Sequence, residues 1–488
     1  MFYNNNIWFA STVDNYEKVY LNLAMANRHG LIAGATGTGK TTTLKVLAES
    51  FSAAGVPVFA ADIKGDLTAT CLAGEDSEDM KDRINRFSLS DTGFSYQGYP
   101  CEYWDVFAKV GHPVRTTISS LGPILLANIL DLTDAQSGIL NIAFHYADDN
   151  KLLIDDIKDL RSLLQYIAEN ASELSLRYGY ITKQSVSAIV RKLVELDNLG
   201  AEQFFNNPEL DINDWLKVNQ NGKGVINLLE CDELFQKPKL YSTFMLWLLS
   251  SLYETLPEVG DLDKPKIVFF FDEAHLLFSN SSKTLEEKII QTVRLIRSKG
   301  VGVYFITQDP SDLPSEVLAQ LGNRIQHALH AYTPNEQKKL KATCDTFRQN
   351  PNFDLLEVIQ QLGKGEALVS CLDDNGVPGV SQRVYILPPE SKFGKLDDSL
   401  LNQMIKQSLF DAKYTSSQDR DSAYEDIQEI NENIKQEKIK IEEEKKQEKK
   451  KEKTQKEIDK ALKSMGRTAL NTITRDITRS ILGIWKKK

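Results

Sequence analysis

The stretch Gly34-Ala-Thr-Gly-Thr-Gly39-Lys40-Thr41 decides which fold this 488-residue chain can adopt. It matches the pattern GxxxxGK[ST] completely. The preceding residues 29–34 (HGLIAG) predict a short apolar strand, and the segment after Lys40 has helical apolar spacing that stops at Gly55. Glycines let such a loop wrap around phosphates, where amide groups and a helix N-terminus favour negative charge. The sequence therefore predicts a nucleotide-binding phosphate loop between a strand and a helix.

Individual residues of this loop have expected roles. Lys40 is expected to reach the β- and γ-phosphates, and the Thr41 hydroxyl is expected to bind Mg²⁺. A structural glycine turn without a ligand is the alternative interpretation. The residues predicted to bind nucleotide are Gly34, Ala35, Thr36, Gly37, Thr38, Gly39, Lys40, Thr41 and Thr42.

A second motif lies far downstream, where the apolar run of residues 266–271 (KIVFFF) is followed by Asp272-Glu273-Ala-His275. An apolar strand that ends in Asp-Glu is typical of a Walker B element. Asp272 would hold Mg²⁺ through water, and Glu273 would act as the general base on the attacking water. The alternative is a pair of acids that cap a helix. The string DEAH also occurs in superfamily-2 helicases, but the sequence shows no companion SAT-type or QxxGR-type motif.

Two further predicted strands end in polar residues. Gln308 follows residues 301–307 (VGVYFIT) and is expected to sense the γ-phosphate or to position the lytic water, unless it is only a turn residue beside Pro310. Asp62 closes the predicted strand 56–63 and is a rival for the Mg²⁺-binding acid. We favour Asp272 because a glutamate follows it directly. Asp62 would then either support the site indirectly or cap a turn.

A ring-shaped ATPase needs a cation that is supplied across the subunit interface to stabilise charge in the transition state. Arg324, in Leu321-Gly-Asn-Arg324, is the first candidate. Arg115, Arg294 and Arg297 are the others. Because most arginines are solvated surface groups, a surface role is the alternative for each of them.

The apolar runs are continuous, as in a parallel sheet covered by helices on both faces, and they predict an α/β fold. Residues 1–65 would form the first part of the ATPase core, and residues 223–390 the second part, which closes with a hairpin near Asp373. The second part includes predicted strands at residues 224–230 (GVINLLE) and 324–332 (RIQHALHAY). Residues 66–222 show helical spacing, at residues 133–147, 154–170 and 182–198, and few strand signals, so they predict a mostly helical insertion. Residues 391–488 predict a charged linker and an amphipathic C-terminal helix.

The tail has two parts. Residues 431–460 carry alternating Glu and Lys blocks, which predict a solvated helix, a coiled coil or a disordered linker. Residues 465–488 regain apolar spacing among basic residues. A helix of this kind could dock on a partner protein, an anionic membrane surface or DNA, or pack on the body of the protein.

Composition is ordinary for a globular protein, with 41% hydrophobic and 26% charged residues and a net charge of -10. A protein held to DNA by a broad basic face is usually basic, so the bulk charge does not support DNA binding, although it leaves room for a basic channel inside a ring. Five scattered cysteines without a CxxC pair indicate reduced thiols. With no leader peptide or membrane-spanning run visible, we expect a cytoplasmic protein without a transmembrane segment.

Several long strings resemble the bacterial HerA-like ATPase family, most closely its YjgR-type branch. They are residues 34–45 (GATGTGKTTTLK), 62–67 (DIKGDL), 111–130 (GHPVRTTISSLGPILLANIL), 261–278 (DLDKPKIVFFFDEAHLLF), 294–314 (RLIRSKGVGVYFITQDPSDLP) and 321–329 (LGNRIQHAL). The resemblance covers about residues 5 to 390, and it is weaker over the final GRTALNTITRDITRSILG.

The resemblance implies a RecA-like ASCE P-loop core of the HerA–FtsK group, whose members usually form hexameric rings that couple ATP hydrolysis to movement of DNA or another polymer. By motif position it assigns residues 34–41 to phosphate and Mg²⁺ binding, Asp272 and Glu273 to Walker B, Gln308 to the sensor and Arg324 to the arginine finger. HerA proper also carries an N-terminal β-barrel that docks a nuclease. The residues before His29 are too few for that barrel, so a nuclease partnership is not expected.

These observations lead to two expectations about function. The first is a Mg²⁺-dependent ATPase motor that assembles as a homo-hexamer and acts on double-stranded DNA as a translocase or helicase. The second is an ATP-switched scaffold, or a motor for protein or envelope-associated cargo, without DNA activity. The acidic balance and the charged tail favour the second.

Overall fold

The computed structural model describes residues 1–260, 262–279, 283–416 and 422–484. The chain divides into two compact units, Met1–Ala423 and Tyr424–Lys488. In the first unit the described residues form one 13-stranded sheet. Its strands are β1 (Phe2–Tyr3), β2 (Asn6–Thr12), β3 (Lys18–Leu21), β4 (Gly30–Ala33), β5 (Val58–Asp62), β6 (Cys101–Asp105), β7 (His112–Pro113), β8 (Ile226–Glu230), β9 (Ile267–Phe271), β10 (Val301–Thr307), β11 (Asn323–Gln326), β12 (Glu366–Ser370) and β13 (Gln382–Ile386).

The helices lie mostly between strands of the parallel region or in the segment between β7 and β8. They are α1 (Lys40–Ala53), α2 (Glu78–Arg86), α3 (Ile118–Ile129), α4 (Asp134–Asn150), α5 (Ile157–Glu169), α6 (Ala171–Tyr178), α7 (Lys183–Asp197), α8 (Ala201–Phe204), α9 (Asp232–Phe235), α10 (Pro238–Thr255), α11 (Leu276–Ser279), α12 (Lys283–Ile296), α13 (Ser315–Leu318), α14 (Pro334–Asp345), α15 (Leu355–Gln361), α16 (Asp398–Gln407), α17 (Leu409–Tyr414) and α18 (Ala423–Ile484).

The strand order is β1-β2-β13-β12-β11-β4-β10-β9-β5-β8-β6-β7, and β3 pairs with β2 beside this path. Neighbours from β11 to β7 run parallel, whereas β12, β13, β2 and β1 join antiparallel. The predicted α/β fold with a mainly parallel sheet is confirmed. Since the parallel strands point the same way, their carboxyl ends meet at one edge, where ligands bind in open α/β sheets.

The central strands form because their sequences are apolar on both faces. All five residues of β9 and all seven of β10 are buried. Helix α1 packs against β4, β5 and β2, and α10 packs against α12 and α11. A parallel strand covered on both sides by helices requires this continuous apolar sequence. The same pattern made β4, β5, β8, β9 and β10 recognisable in the sequence.

Two strands differ from the sequence-based expectation. Residues 66–222 contain the expected helices α4, α5 and α7, but they also contain β6, which pairs with β8 from Cys101↔Ile226 to Asp105↔Glu230. The sequence of β6 (CEYWD) is short and half polar, so its strand character depends on pairing with a distant segment. Strand β11 ends at Gln326 rather than continuing to Tyr332. The next residue, His327, lies beside Gly34 of the phosphate loop and contacts Thr43 of α1. The domain limits proposed for residues 66–222 stay a prediction.

The second unit consists of the greater part of α18. Residues 435–465 are helical and exposed throughout in this single chain, as in a solvated helix or in one helix of a coiled coil. The side chains of the predicted basic amphipathic end, from residue 466 onwards, lie outside the described residues. In the described chain no helix combines the length and the apolar character that crossing a membrane requires.

Candidate nucleotide-binding site

The phosphate loop connects β4 to α1, and Lys40 is the first residue of the helix. Gly34 and Gly39 have φ angles of 149° and 122°, a region that favours glycine. A Cβ added to Gly34 would lie 2.5 Å from the Cβ of His327. Thr36 and Gly37 are exposed at the tip of the loop, and Thr41 is exposed on the first turn of α1. The loop is therefore packed at its base and open where phosphates would bind.

Lys40 lies folded over the loop. Its Nζ donates to the carbonyl oxygens of Gly34, at 2.5 Å, and Ala35, at 3.2 Å. Burial lowers the pKa of Lys40, and the carboxylates of Glu273 and Asp272 act in the opposite direction. The lysine and the acid pair are thus within electrostatic reach of each other, although they are far apart in the sequence.

The acid pair follows the end of β9. Burial, followed by the charge of Glu273, raises the pKa of Asp272 to about 6. The Glu273 amide donates to Asp272 Oδ1 at 2.9 Å. Glu273 itself has a φ of 46°, a left-handed conformation that costs a non-glycine residue about 1–3 kcal/mol and is concentrated at functional sites. This strained backbone turns the Glu273 side chain towards β10.

Gln308 directly follows β10 and contacts Glu273. Its Nε2 donates to Glu273 Oε1 at 3.1 Å and Oε2 at 3.4 Å. His275 Nδ1 lies 3.4 Å from Glu273 Oε2. The parallel register Thr307↔Ala33 and Phe305↔Phe271 explains how loop, acids and glutamine reach the same edge. The structure thus brings Lys40, Asp272, Glu273 and Gln308 together.

A family model describing the helicase HerA-like C-terminal region matches residues 9–488. The chain belongs to the HerA-like family. The resemblance noted in the sequence is thereby confirmed.

Curated relatives are distant in sequence. The DNA double-strand break repair helicase HerA of Sulfolobus acidocaldarius is 22% identical over 354 residues, which cover 72% of this chain and 64% of that protein. The protein of the same name from Saccharolobus solfataricus is 23% identical over 376 residues, which cover 75% of this chain and 66% of that protein. The chain therefore spans a little under two thirds of the length of these two HerA proteins.

Solved structures show the same fold. VirB4 of Thermoanaerobacter pseudethanolicus superposes with a TM-score of 0.50 at 15% identity, covering 79% of this chain and 96% of VirB4. The plasmid coupling protein TrwB in complex with the non-hydrolysable GTP analogue GDPNP superposes with a TM-score of 0.50 at 14% identity, covering 79% of this chain and 91% of TrwB. The RecA-like P-loop core expected for a HerA-like chain is confirmed.

Asp62, the rival acid, is used differently. It ends β5 and is buried, and its Oδ2 accepts from the Leu67 amide at 2.9 Å. Burial raises its pKa to about 6. Of the two roles left open for Asp62, this geometry matches the cap of a turn. Its exposed neighbour Lys64 acts electrostatically on both Lys40 and Asp272.

Arg324 is held by its own chain. Its guanidinium donates to the carbonyl oxygens of Leu321 at 3.0 Å, Leu318 at 2.9 Å and Thr346 at 3.1 Å. Arg324 lies near the start of β11 and pairs with Leu31 of β4. It is therefore near the amino ends of the parallel strands, whereas the phosphate loop follows the carboxyl end of β4. Arg115 likewise donates to Tyr414 O at 3.0 Å. An arginine finger at either position would have to give up these hydrogen bonds.

Arg294 and Arg297 are exposed. They line a surface cavity of about 320 Å³ with Asn27, Gly260 and Ser298. Of the four arginines suggested by the sequence, these two are the better placed to reach a neighbouring molecule.

His327 was missed by the sequence reasoning. This buried side chain contacts Thr43 Oγ1 through Nε2 at 2.8 Å and the Glu366 carbonyl through Nδ1 at 2.8 Å. A carbonyl only accepts, so Nδ1 carries the proton and the Thr43 hydroxyl donates to Nε2. Burial lowers the pKa of His327 to about 4, which keeps it neutral. A polar residue directly after a strand beside β4 was the signal that could have revealed it.

Gly365 was also missed. Its amide donates to the Thr38 carbonyl of the phosphate loop at 3.0 Å, and its φ is 80°. A Cβ added to Gly39 would lie 3.4 Å from the Gly365 Cα. Together, His327 and Gly365 fix the β11–β12 side of the loop.

Proposed function

We propose that this HerA-like chain is a Mg²⁺-dependent ATPase that hydrolyses ATP at the carboxyl edge of β4, β10 and β9. The observation that carries the proposal is the meeting of Lys40, Asp272, Glu273 and Gln308 beside the phosphate loop. Phosphoryl transfer needs mainly positioning and electrostatic stabilisation, and these side chains can supply both.

The oxygen atoms at the carboxyl ends of β4 and β9 fit a magnesium ion. The Thr41 hydroxyl and the Asp272 carboxylate are oxygen donors of the kind Mg²⁺ prefers. When bound, Mg²⁺ would neutralise charge on the phosphate oxygens. Lys40 would exchange its two loop carbonyls for phosphate oxygens. Glu273 would accept a proton from the attacking water, and Gln308 would hold the Glu273 carboxylate in place.

Steady-state ATP hydrolysis by Lys40→Ala tests the proposal. We expect turnover to fall by at least about 100-fold, because the loop loses its phosphate-binding cation. Lys81→Ala is the matched control, since Lys81 is an exposed residue of α2 that pairs with Asp76. Full turnover by Lys40→Ala would refute the site.

Assembly and substrate are the second part of the proposal: a homo-hexamer in the cytosol that translocates on or unwinds double-stranded DNA. Support comes from the HerA relatives, whose names describe DNA double-strand break repair helicases. Arg324 stays a proposed arginine finger, and the exposed Arg294 and Arg297 are stronger candidates for the same role. Light scattering with ATP present tests whether the chain assembles into a ring. If it detected only monomers, the proposal of an arginine finger supplied by a neighbouring subunit would fall.

The DNA substrate is tested by the ATPase rate with and without double-stranded DNA across a salt series. Stimulation that weakens as salt rises supports a DNA motor, because phosphate contacts release counterions. A flat response favours the second proposal, an ATP-switched scaffold or a motor for protein or envelope-associated cargo. The exposed charged helix of residues 435–465 supports that alternative as an interaction arm.

A further inference from the structure

The phosphate loop has a basic flank on the side away from the acid pair. Gly39 of the loop contacts Gly365, which precedes β12. The Arg83 guanidinium covers Gly365 in turn, since a Cβ added to Gly365 would lie 3.1 Å from Arg83 Nη2 and 3.4 Å from Nη1. Arg83 belongs to α2, so a helix and a loop that are distant in sequence meet beside the phosphate loop.

Lys364 is the second cation of this flank. It is exposed between Gly363 and Gly365. The neighbouring acid, Glu366, is already neutralised, because its Oε2 accepts from Arg383 Nη2 at 2.6 Å and from the Gly363 amide at 3.2 Å. Within the described residues, no hydrogen bond or ion pair engages the Lys364 amine. Among the residues that the structure describes, Arg83 forms an ion pair with Asp79 alone, at 3.1 Å, on the surface of α2.

The acid pair fixes the direction of a bound triphosphate. Its γ-phosphate would face Asp272, Glu273 and Gln308, which follow β9 and β10. Strand β4 lies between β10 and β11, so the other end of the triphosphate would point towards the β11–β12 side. The flank formed by Arg83, Lys364 and Gly365 lies on that side.

We infer that Lys364 and Arg83 bind the α-phosphate end of the nucleoside triphosphate. The inference rests on the proposed ATP site and adds to it two cations that the phosphate-loop motif does not contain. Surface ion pairs of the Arg83–Asp79 kind contribute little, so the guanidinium can turn to a phosphate at small cost. Both ATP and ADP carry the α-phosphate, so both should depend on this flank.

The test measures ADP binding by titration calorimetry and ATP turnover for Lys364→Gln, Arg83→Gln and the double variant. We expect each single change to weaken ADP binding about fivefold and the double change about 20-fold, as for partly exposed charge contacts. The turnover number at saturating ATP should stay within about twofold, because the contact is equal in ground state and transition state. Arg83→Lys should recover most of the affinity, since it restores the charge.

Lys81→Gln is the control, because it removes one positive charge from the exposed surface of the same helix. Its ADP affinity should match that of the parent. Unchanged ADP affinity in the double variant would overturn the inference, as would a fall in turnover number without a change in affinity. If Arg83→Gln fails to fold, the exposed Lys364→Gln still decides the matter. A parent protein that binds no ADP would instead refute the proposed ATPase site.

Discussion

Strands β9 and β5 are neighbours with an aspartate at their carboxyl ends, yet the two carboxylates have different surroundings. Asp272 directly follows β9, and Asp62 is the last residue of β5. They pair in parallel through Ala60↔Phe270, and burial raises the pKa of Asp272 and of Asp62 alike to about 6. After β5 the chain turns back, and the Leu67 amide occupies the Asp62 carboxylate. After β9 the strained Glu273 places a second carboxylate beside Gln308. The comparison shows that the turn after a strand decides which groups surround the acid at its end.

Among the substitutions at these two strand ends, Glu273→Gln should have the largest effect on ATP turnover. We expect the turnover number to fall about 1,000-fold while ATP still binds, because the isosteric amide cannot accept a proton from water. A steady-state ATP hydrolysis assay measures the turnover number, and a titration with ATP measures binding. Asp62→Asn, the matched change at the end of β5, should keep turnover within about threefold. Parent-like turnover by Glu273→Gln would refute the assignment of the base.

Asp272→Asn should raise the Mg²⁺ concentration that gives half-maximal turnover by about 10–100-fold, as loss of a metal-supporting oxygen usually does. Asp62→Asn should leave this concentration unchanged, because its carboxylate serves the turn. A magnesium titration of the ATPase rate compares the two variants. If Asp62→Asn gave the larger shift, the roles assigned to the two strand ends would be reversed.

Gln308→Ala sharpens the comparison, because Gln308 contacts the acid that follows β9. We expect turnover to fall about tenfold, since the Glu273 carboxylate loses the amide that orients it. The binding of ATP should be unaffected. Gln337→Ala, an exposed glutamine of α14, is the control. An unchanged turnover number would mean that the Gln308 amide does not position the Glu273 carboxylate.

Asp62→Asn should stabilise the protein at pH 7.5. Folding raises the pKa of Asp62 from 3.8 to about 6. Ionisation of Asp62 therefore destabilises the folded state progressively as the pH rises from 3.8 to about 6, and the full loss of stability is reached above about pH 6. Asparagine is never charged, so we expect a gain of about 1–2 kcal/mol, reduced from the full titration effect by a poorer hydrogen bond to Leu67. Urea unfolding of the parent and the variant at pH 7.5 and pH 4 measures this gain in the free energy of unfolding. A gain that persisted undiminished at the lower pH would indicate repacking instead of charge.

The sequence predicted those strands and helices whose patterns lie within one short segment. Continuous apolar runs revealed β9 and β10, and helical spacing revealed α4, α5 and α7. It missed β6, whose short polar sequence becomes a strand only through pairing with β8. It extended β11 too far, because the contacts of His327 with Thr43 and Glu366 are invisible in the sequence.

The sequence by itself determined the phosphate loop, the acid pair and the mainly parallel α/β class, because each depends on the chemistry and backbone freedom of adjacent residues. The order of the strands was decided only by the tertiary structure, since parallel neighbours are separated by long connections. That order brings Lys40 to Asp272 and Glu273, places Arg83 on Gly365, and commits Arg324 to three carbonyls of its own chain. Hydrogen-bond partners depend on the folded surroundings, so they distinguish Asp272 from Asp62 where residue type cannot.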